Sequence, residues 1–119
     1  MARYAATVSS MDADAYAAMF TPDAVQVDPY PSQNVGREAI RDFIARSFAA
    51  CETFHFEVGE VHPVADRVAI TFHITLGVAG GATMHIRGVE VFGVTDDGLI
   101  SSVDAYWGGG DVQMEEAAG

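Results

Sequence analysis

Residues 67–76 read RVAITFHITL, a stretch in which large apolar side chains alternate with polar ones. Alternation with a period of two is typical of a β-strand that has one face against a core. The same pattern runs through residues 54–58, 82–94 and 99–107. Turn sequences separate these segments, Gly80-Gly81 at one point and the hairpin-type Asp96-Asp97-Gly98 at another. The second half of the chain is therefore predicted to form an antiparallel sheet.

The first half of the chain has the periodicity of helices. Tyr4, Val8 and Met11 share one face of a first helix. Asp12 is suited to cap a short second helix, in which Tyr16, Met19 and Phe20 share a face. Gly36 precedes a third helix, which presents an apolar stripe consisting of Ile40, Phe43, Ile44 and Phe48. Between the second and third helices, residues 25–28 are predicted to be extended.

Helices followed by strands indicate the α+β class. We expect three N-terminal helices packed on one face of a curved, mixed but mainly antiparallel sheet. A sheet that bends around helices can leave an apolar cavity between the two layers, which is a natural site for a small ligand.

Length and charge limit the function classes. At 119 residues, half of them hydrophobic, the chain is long enough for one globular domain, which we assign to residues 1–107. Residues 108–119 are rich in glycine and acids and are predicted to be a flexible tail. The formal charge of -11 disfavours nucleic acid and anionic membranes as partners. No apolar run is long enough to span a bilayer, and the single Cys51 suits a reducing compartment, so a cytoplasmic protein is expected.

Two acidic residues are candidate catalytic groups. Glu90 shares a predicted strand face with Met84 and Phe92, which directs it into the cavity. A buried carboxyl tends to stay protonated, and a protonated carboxyl can donate a hydrogen bond. A bulge or edge position that lets Glu90 reach water is the alternative. Asp28 precedes Pro29 at the end of the extended segment, where it is either a turn residue or a functional acid.

A set of short motifs is spread over residues 1–107. They are Met1-Ala2-Arg3-Tyr4, Val27-Asp28-Pro29, Gly36-Arg37-Glu38-Ala39-Ile40, Val89-Glu90-Val91-Phe92, Asp97-Gly98-Leu99-Ile100 and Ala105-Tyr106-Trp107. Together with the spacing between Tyr4 and Asp28, this set resembles the ketosteroid isomerases. These are steroid Δ5-isomerases of the nuclear-transport-factor-2-like (NTF2-like, SnoaL-like) superfamily.

The resemblance implies a cone-shaped fold with a deep apolar pocket, and a cofactor-independent reaction that moves the double bond of a 3-oxo-Δ5-steroid to the Δ4 position. Asp28 would be the general base, which transfers a proton within the substrate through a dienolate. Tyr4 and Glu90 would donate hydrogen bonds to the dienolate oxygen, and Trp107 would orient Asp28. The remaining residues implied to line the pocket are Phe20, Ile44, Ile70, Phe72, Ile74, Met84, Phe92 and Val103.

Three features depart from that family. Glu90 stands where the isomerases have aspartate, and a misplacement of about 1 Å can cost roughly 100-fold in rate. Phe20 and Ile44 stand where some isomerases carry supporting tyrosines, so Tyr4 is predicted to act without that network. The first helix begins close to Met1, so Tyr4 is predicted to lie on a frayed helix end.

Other functions remain open. The same superfamily includes polyketide cyclases, dehydratases and epoxide hydrolases, and a non-catalytic protein that binds a hydrophobic ligand is a third hypothesis. The four histidines lack the close spacing of metal ligands, so no metal site is predicted. His73 and His85 are predicted to mark the outer sheet face, through which the resemblance implies a homodimer. The predicted ligand is a small hydrophobic ketone or steroid.

Overall fold

The computed structural model describes residues 1–116, which form three α-helices and seven strands. The helices are α1 (Ala2–Ser9), α2 (Ala13–Ala17) and α3 (Arg37–Ala49). The strands are β1 (Phe20–Val27), β2 (Gln33–Val35), β3 (Thr53–Val64), β4 (Arg67–Gly77), β5 (Thr83–Val94), β6 (Ile100–Tyr106) and β7 (Val112–Glu115).

The helix starts follow local sequence signals. The Asp12 side chain accepts a hydrogen bond from the backbone N–H of Ala15 at 3.0 Å, so it caps α2 as predicted. Gly36 precedes α3 with a φ of 91°, in the left-handed region where a side chain would be strained. The hairpin between β5 and β6 turns through Gly98, which has a φ of 84°.

The sheet is mixed, and most of its strand pairs are antiparallel. Its strands run in the order β2-β1-β6-β5-β4-β3, and β7 pairs with the first part of β5. Only β1 and β6 are parallel within the part of the chain that the structure describes. The register of β3 on β4 shifts between Val58 and Val61, and such irregularities increase the bend of a strand.

The helices and one face of the sheet share a single apolar core. Helix α1 contributes Tyr4 and Val8, and the backbone N–H of Phe56 in β3 donates to the Ser9 hydroxyl at 2.9 Å. Helix α3 buries the stripe that its periodicity predicts, consisting of Ile40, Ile44 and Phe48. Burying side chains of this size contributes roughly 1.5 to 3 kcal/mol each, so this packing fixes the helices over the sheet.

Two local expectations were wrong, and one short strand was missed. Phe20, predicted to lie on a helix face, begins β1 because it pairs with Ile100 of β6. Strand β2 was not predicted, since three residues carry too little pattern. Residues 108–116 are not a loose tail, because β7 pairs with residues 83–86 and Val112 packs against the core. Residues 117–119 of the predicted tail lie outside the described residues.

The outer sheet face carries a histidine pair. His73 Nε2 and His85 Nδ1 lie 3.0 Å apart, and His85 Nε2 lies 3.1 Å from a Glu115 carboxylate oxygen. A homodimer through this face stays a prediction.

Among residues 1–116, the helices are all too short or too polar to cross a membrane.

Candidate active site

A cavity of about 340 Å³ lies between the helices and the sheet. This volume is at the lower end of the range for small-molecule sites. Most of the wall is apolar, formed by Val8, Pro29, Phe43, Ile44, Phe54, Phe56, Phe72, Ile74, Leu76, Ile86, Ala105 and Trp107. Five polar side chains also reach it, namely Tyr4, Tyr16, Asp28, Ser47 and Glu90. The cavity therefore suits a hydrophobic ligand that makes a few directed polar contacts.

Asp28 is held rigidly at the cavity wall. It directly follows β1, and its backbone N–H donates to the Ser32 carbonyl at 2.9 Å, which closes the turn towards β2. The Trp107 indole N–H donates to Asp28 Oδ1 at 2.9 Å, the contact that the resemblance implies. Burial raises the pKa of Asp28, and the hydrogen bond from Trp107 partly opposes that shift. A carboxylate with a raised pKa and one fixed donor is suited to accept a proton.

Glu90 points into the cavity from β5, as the alternation predicts, and does not lie at a bulge or an edge. Its partners across the sheet are Ile70 in β4 and Ala105 in β6, and its exposed fraction is 4%. Within the described residues, its Oε1 atom has no hydrogen-bond partner. Burial, reinforced by the charge of Asp28, raises the pKa of Glu90 well above its usual value. Burial therefore favours the protonated, neutral form of Glu90, and a protonated carboxyl can donate a hydrogen bond.

Tyr4 is fixed deep in the core. Only 5% of it is exposed, and its ring packs edge-on against Phe92 and Phe56 with centroid distances of 4.9 and 5.4 Å. Burial and the nearby Glu90 raise the pKa of Tyr4 well above its usual value, so the phenol keeps its proton. The prediction of a frayed helix end was wrong, because Tyr4 lies in the first turn of α1 and its packing in the core holds that turn in place.

Tyr4 also belongs to a buried chain of polar groups. Its hydroxyl lies 3.3 Å from the hydroxyl of Tyr16 on α2. The Gln26 side-chain amide in β1 donates to the Tyr16 hydroxyl at 2.9 Å, and the Asn34 amide in β2 donates to Gln26 Oε1 at 3.2 Å. Tyr4 therefore does have a supporting tyrosine, contrary to expectation. Phe20, which stands where some isomerases carry a supporting tyrosine, packs against the Tyr16 ring.

The predicted lining residues divide into two groups. The cavity is lined by Ile44, Phe72, Ile74 and Trp107, in addition to Tyr4, Asp28 and Glu90. The other predicted residues are outside its wall: Phe20, Ile70, Phe92 and Val103 are at most 1% exposed within the core, and Met84 packs against that core. These five point to the correct side of the sheet, but neighbouring side chains cover them completely or in part.

No group of three or more His, Cys, Asp or Glu side chains in residues 1–116 is arranged to hold a metal ion. No histidine of this part lines the cavity either. The polar side chains that reach the cavity are two carboxyls, two phenols and the Ser47 hydroxyl.

Sequence reasoning missed two polar residues that reach the cavity, Tyr16 and Ser47, and it missed Gln26, which bonds to Tyr16 behind the cavity wall. Tyr16 was assigned only to an apolar helix face. A signal for Gln26 was available, since it lies two residues before Asp28 and so shares its strand face by the period of two. A fully buried amide on that face indicates a directed polar network.

Comparison with known sequences agrees with the fold. The sequence profile of the SnoaL-like domain family matches residues 1–103. The chain belongs to the SnoaL-like domain family. The predicted NTF2-like α+β fold is thereby confirmed, with three helices, one of them short, and a seven-stranded mixed sheet within the described residues.

Members and neighbours of this family differ in what they do. A steroid Delta-isomerase from Nocardioides simplex is 34% identical over 119 residues, covering 98% of this chain and 94% of the relative. The epoxide hydrolase/cyclase-like enzyme SalBIII, which acts in pyran ring formation in the polyether salinomycin, has a TM-score of 0.86 and 28% identity over 96% of this chain and 92% of that one. The Mycobacterium tuberculosis protein RV0760c, solved in complex with estradiol-17beta-hemisuccinate, has a TM-score of 0.83 and 25% identity over 94% of each chain.

Proposed function

We propose that this SnoaL-like protein is a cofactor-independent steroid isomerase, which moves the double bond of a 3-oxo-Δ5-steroid to the Δ4 position. The observation that carries the proposal is the meeting of Asp28, Tyr4 and Glu90 in one apolar cavity. The sequence is 34% identical to that of a steroid Delta-isomerase, and RV0760c, a protein of similar structure, binds an estradiol derivative. Both similarities support a steroid as the ligand.

Asp28 is the base in this proposal. It takes a proton from the carbon between the ketone and the double bond, and the C–H electron pair forms the new double bond of a dienolate. The ketone oxygen receives the negative charge. Asp28 then returns the proton two carbons along, which leaves the double bond conjugated with the ketone. The Trp107 indole fixes one carboxylate oxygen during both transfers, and a positioned general base contributes typically 10² to 10⁴ in rate.

Tyr4 and Glu90 stabilise the dienolate oxygen. Burial raises the pKa of both groups and so favours the protonated forms that can donate. A fixed donor of this kind is typically worth 10² to 10³ in rate. The apolar wall strengthens both hydrogen bonds, because water that would compete for the oxygen is excluded.

The test is the turnover of a Δ5-3-ketosteroid by the purified protein, followed by the absorbance of the conjugated enone. Asp28→Asn keeps the shape of the side chain and removes the base, and we expect its turnover to fall by at least about 100-fold. Asp104→Asn is the matched control, because Asp104 lies on β6 and does not line the cavity. Absence of turnover by the native protein, or full turnover by Asp28→Asn, would refute the proposal.

Epoxide opening is the second candidate. The observation that favours it is the pair of carboxyls, Asp28 and Glu90, in one cavity with raised pKa values. Protonated Glu90 would donate to the epoxide oxygen, while Asp28 would take a proton from the attacking hydroxyl or water. The similarity to SalBIII supports this reaction class.

Tyr4→Phe distinguishes the two candidates. Isomerisation uses the Tyr4 proton on the dienolate oxygen, so this variant should lose about 100-fold in steroid turnover. Epoxide opening needs only the two carboxyls. Two results together would establish the second candidate. The native protein would not convert the steroid, and the Tyr4→Phe variant would still convert a hydroxy-epoxide.

A further inference from the structure

Gln26 is a fully buried amide for which core packing gives no reason. Its exposed fraction is 0%, and a buried amide is costly unless both its ends are hydrogen-bonded. Here both ends are used: Nε2 donates to the Tyr16 hydroxyl, and Oε1 accepts from the Asn34 side chain. Gln26 and Asn34 face each other in the β1–β2 register, so the backbone of the sheet holds the two amides together.

The direction of each hydrogen bond follows from the number of protons. A phenol hydroxyl has one proton to donate and can also accept. Taken alone, the hydroxyls of Tyr4 and Tyr16 could bond in either direction across their 3.3 Å separation. Because Gln26 already donates to Tyr16, the Tyr16 proton is available for Tyr4. If Tyr16 uses that proton towards Tyr4, Tyr4 accepts on its oxygen and its own proton is free for the cavity.

We propose that Gln26 is a positioning residue. It sets the direction of a hydrogen-bond relay that runs from Gln26 through Tyr16 to Tyr4, so that Tyr16 donates to Tyr4 and the Tyr4 proton points at the ligand oxygen. The inference rests on the proposed function, in which Tyr4 is a donor to the dienolate. Each bond in such a chain polarises the next by roughly 10 to 30%. The relay thus makes Tyr4 both correctly oriented and a stronger donor.

The opposite direction gives opposite results on mutation, which makes the inference testable. If both amides were turned round, Tyr16 would donate to Gln26 and Tyr4 would donate to Tyr16, so the Tyr4 proton would point away from the cavity. Tyr16→Phe would then release that proton, and kcat would be unchanged or higher. In the relay that we propose, Tyr16→Phe removes the donor to Tyr4, and kcat falls.

The experiment measures steroid turnover for Gln26→Met, Tyr16→Phe and the double variant. We expect each single variant to lose about 5-fold in kcat with KM unchanged, which is the worth of one neutral hydrogen bond. The double variant should be no slower than Tyr16→Phe within about 2-fold, since both changes interrupt one relay. Losses that multiply, losses that appear in KM, or single variants as fast as the native protein would overturn the inference.

Binding of 2-naphthol separates this inference from the proposed function, because its phenol oxygen accepts from Tyr4 without turnover. Gln26→Met and Tyr16→Phe should each weaken its binding by about 5-fold. If the native protein does not isomerise steroids but both variants weaken 2-naphthol binding, the relay is supported and the proposed function fails. If the native protein isomerises steroids and neither variant changes kcat or 2-naphthol affinity, the relay is wrong and the function is retained.

Discussion

Replacement of Glu90 by methionine should make the protein more stable and the reaction slower. The Glu90 side chain is 4% exposed, and its Oε1 atom has no hydrogen-bond partner among the described residues. A buried polar group without a partner costs about 1 to 3 kcal/mol. Methionine has a similar length and needs no partner, so Glu90→Met should raise the free energy of unfolding by about that amount at neutral pH.

The effect on the reaction has the opposite sign. Glu90→Met removes one of the two proposed donors to the dienolate oxygen, which should lower kcat by roughly 10² to 10³. KM should change little, because the methionine keeps the apolar contact with the ligand. The Glu90 carboxyl, which has no partner, thus lowers the free energy of unfolding and at the same time supplies a donor for the reaction.

Denaturant unfolding at pH 7 and steroid turnover, measured on the same preparations, give the two numbers. Glu60→Met is the matched control, since Glu60 lies exposed on β3. It should change the free energy of unfolding by less than about 0.5 kcal/mol and leave turnover unaltered. The reasoning is refuted if Glu90→Met destabilises the fold by more than about 1 kcal/mol, or if it turns over steroid within 3-fold of the native protein.

Three further predictions follow from contacts in and near the cavity. In the folded protein Glu90 keeps a proton that the unfolded chain releases above about pH 4.3. The free energy of unfolding should therefore fall with rising pH, by up to about 1.4 kcal/mol per pH unit, until Glu90 ionises. Denaturant unfolding of Glu90→Gln should show a smaller slope. Trp107→Phe removes the hydrogen bond that lowers the pKa of Asp28, so the acidic limb of the kcat/KM profile should move to higher pH. Gly88→Ala should cost about 1 to 3 kcal/mol in thermal unfolding, because its Cβ would lie 2.5 Å from the Tyr106 carbonyl oxygen and 2.9 Å from the Phe72 ring.

Each of these predictions has a contradicting outcome. A pH slope as steep in Glu90→Gln as in the native protein would place the titrating group elsewhere, because the raised pKa of Asp28 leaves only a part of the slope to be expected in that variant. An acidic limb that stays in place, or moves to lower pH, in Trp107→Phe would remove Asp28 as the group that controls it. A Gly88→Ala variant as stable as the native protein would mean that β5 has more room than the structure gives it.

Alternation was the most informative feature of the sequence. The period of two in β4 and β5 correctly indicated the antiparallel sheet and the inward direction of Glu90, because side chains on a strand can only point to one face or the other. The apolar stripe of α3 and the Asp12 cap were local signals in the same sense. Each of these predictions depended on neighbours within a few residues.

The remaining errors depended on tertiary packing. Ile70 and Phe92 point to the inner face as predicted, but whether such a side chain lines the cavity depends on where the helices cover the sheet. The hydroxyl contact between Tyr4 and Tyr16 joins two helices, and their relative placement has no signature in either helix alone. Strand β7 exists because the first part of β5 has a free edge, which the composition of residues 108–116 does not indicate.

The most direct test of Asp28 as the proton-transferring base is the fate of the transferred hydrogen. A Δ5-3-ketosteroid deuterated at the carbon between the ketone and the double bond would be converted in ordinary water, and the product would be examined by mass spectrometry and NMR. Because one buried carboxyl takes and returns the same hydrogen, a substantial fraction of the product should carry deuterium two carbons along, and Asp28→Asn should form almost no product. Complete loss of deuterium to the solvent, or labelled product from Asp28→Asn at the native rate, would contradict the account.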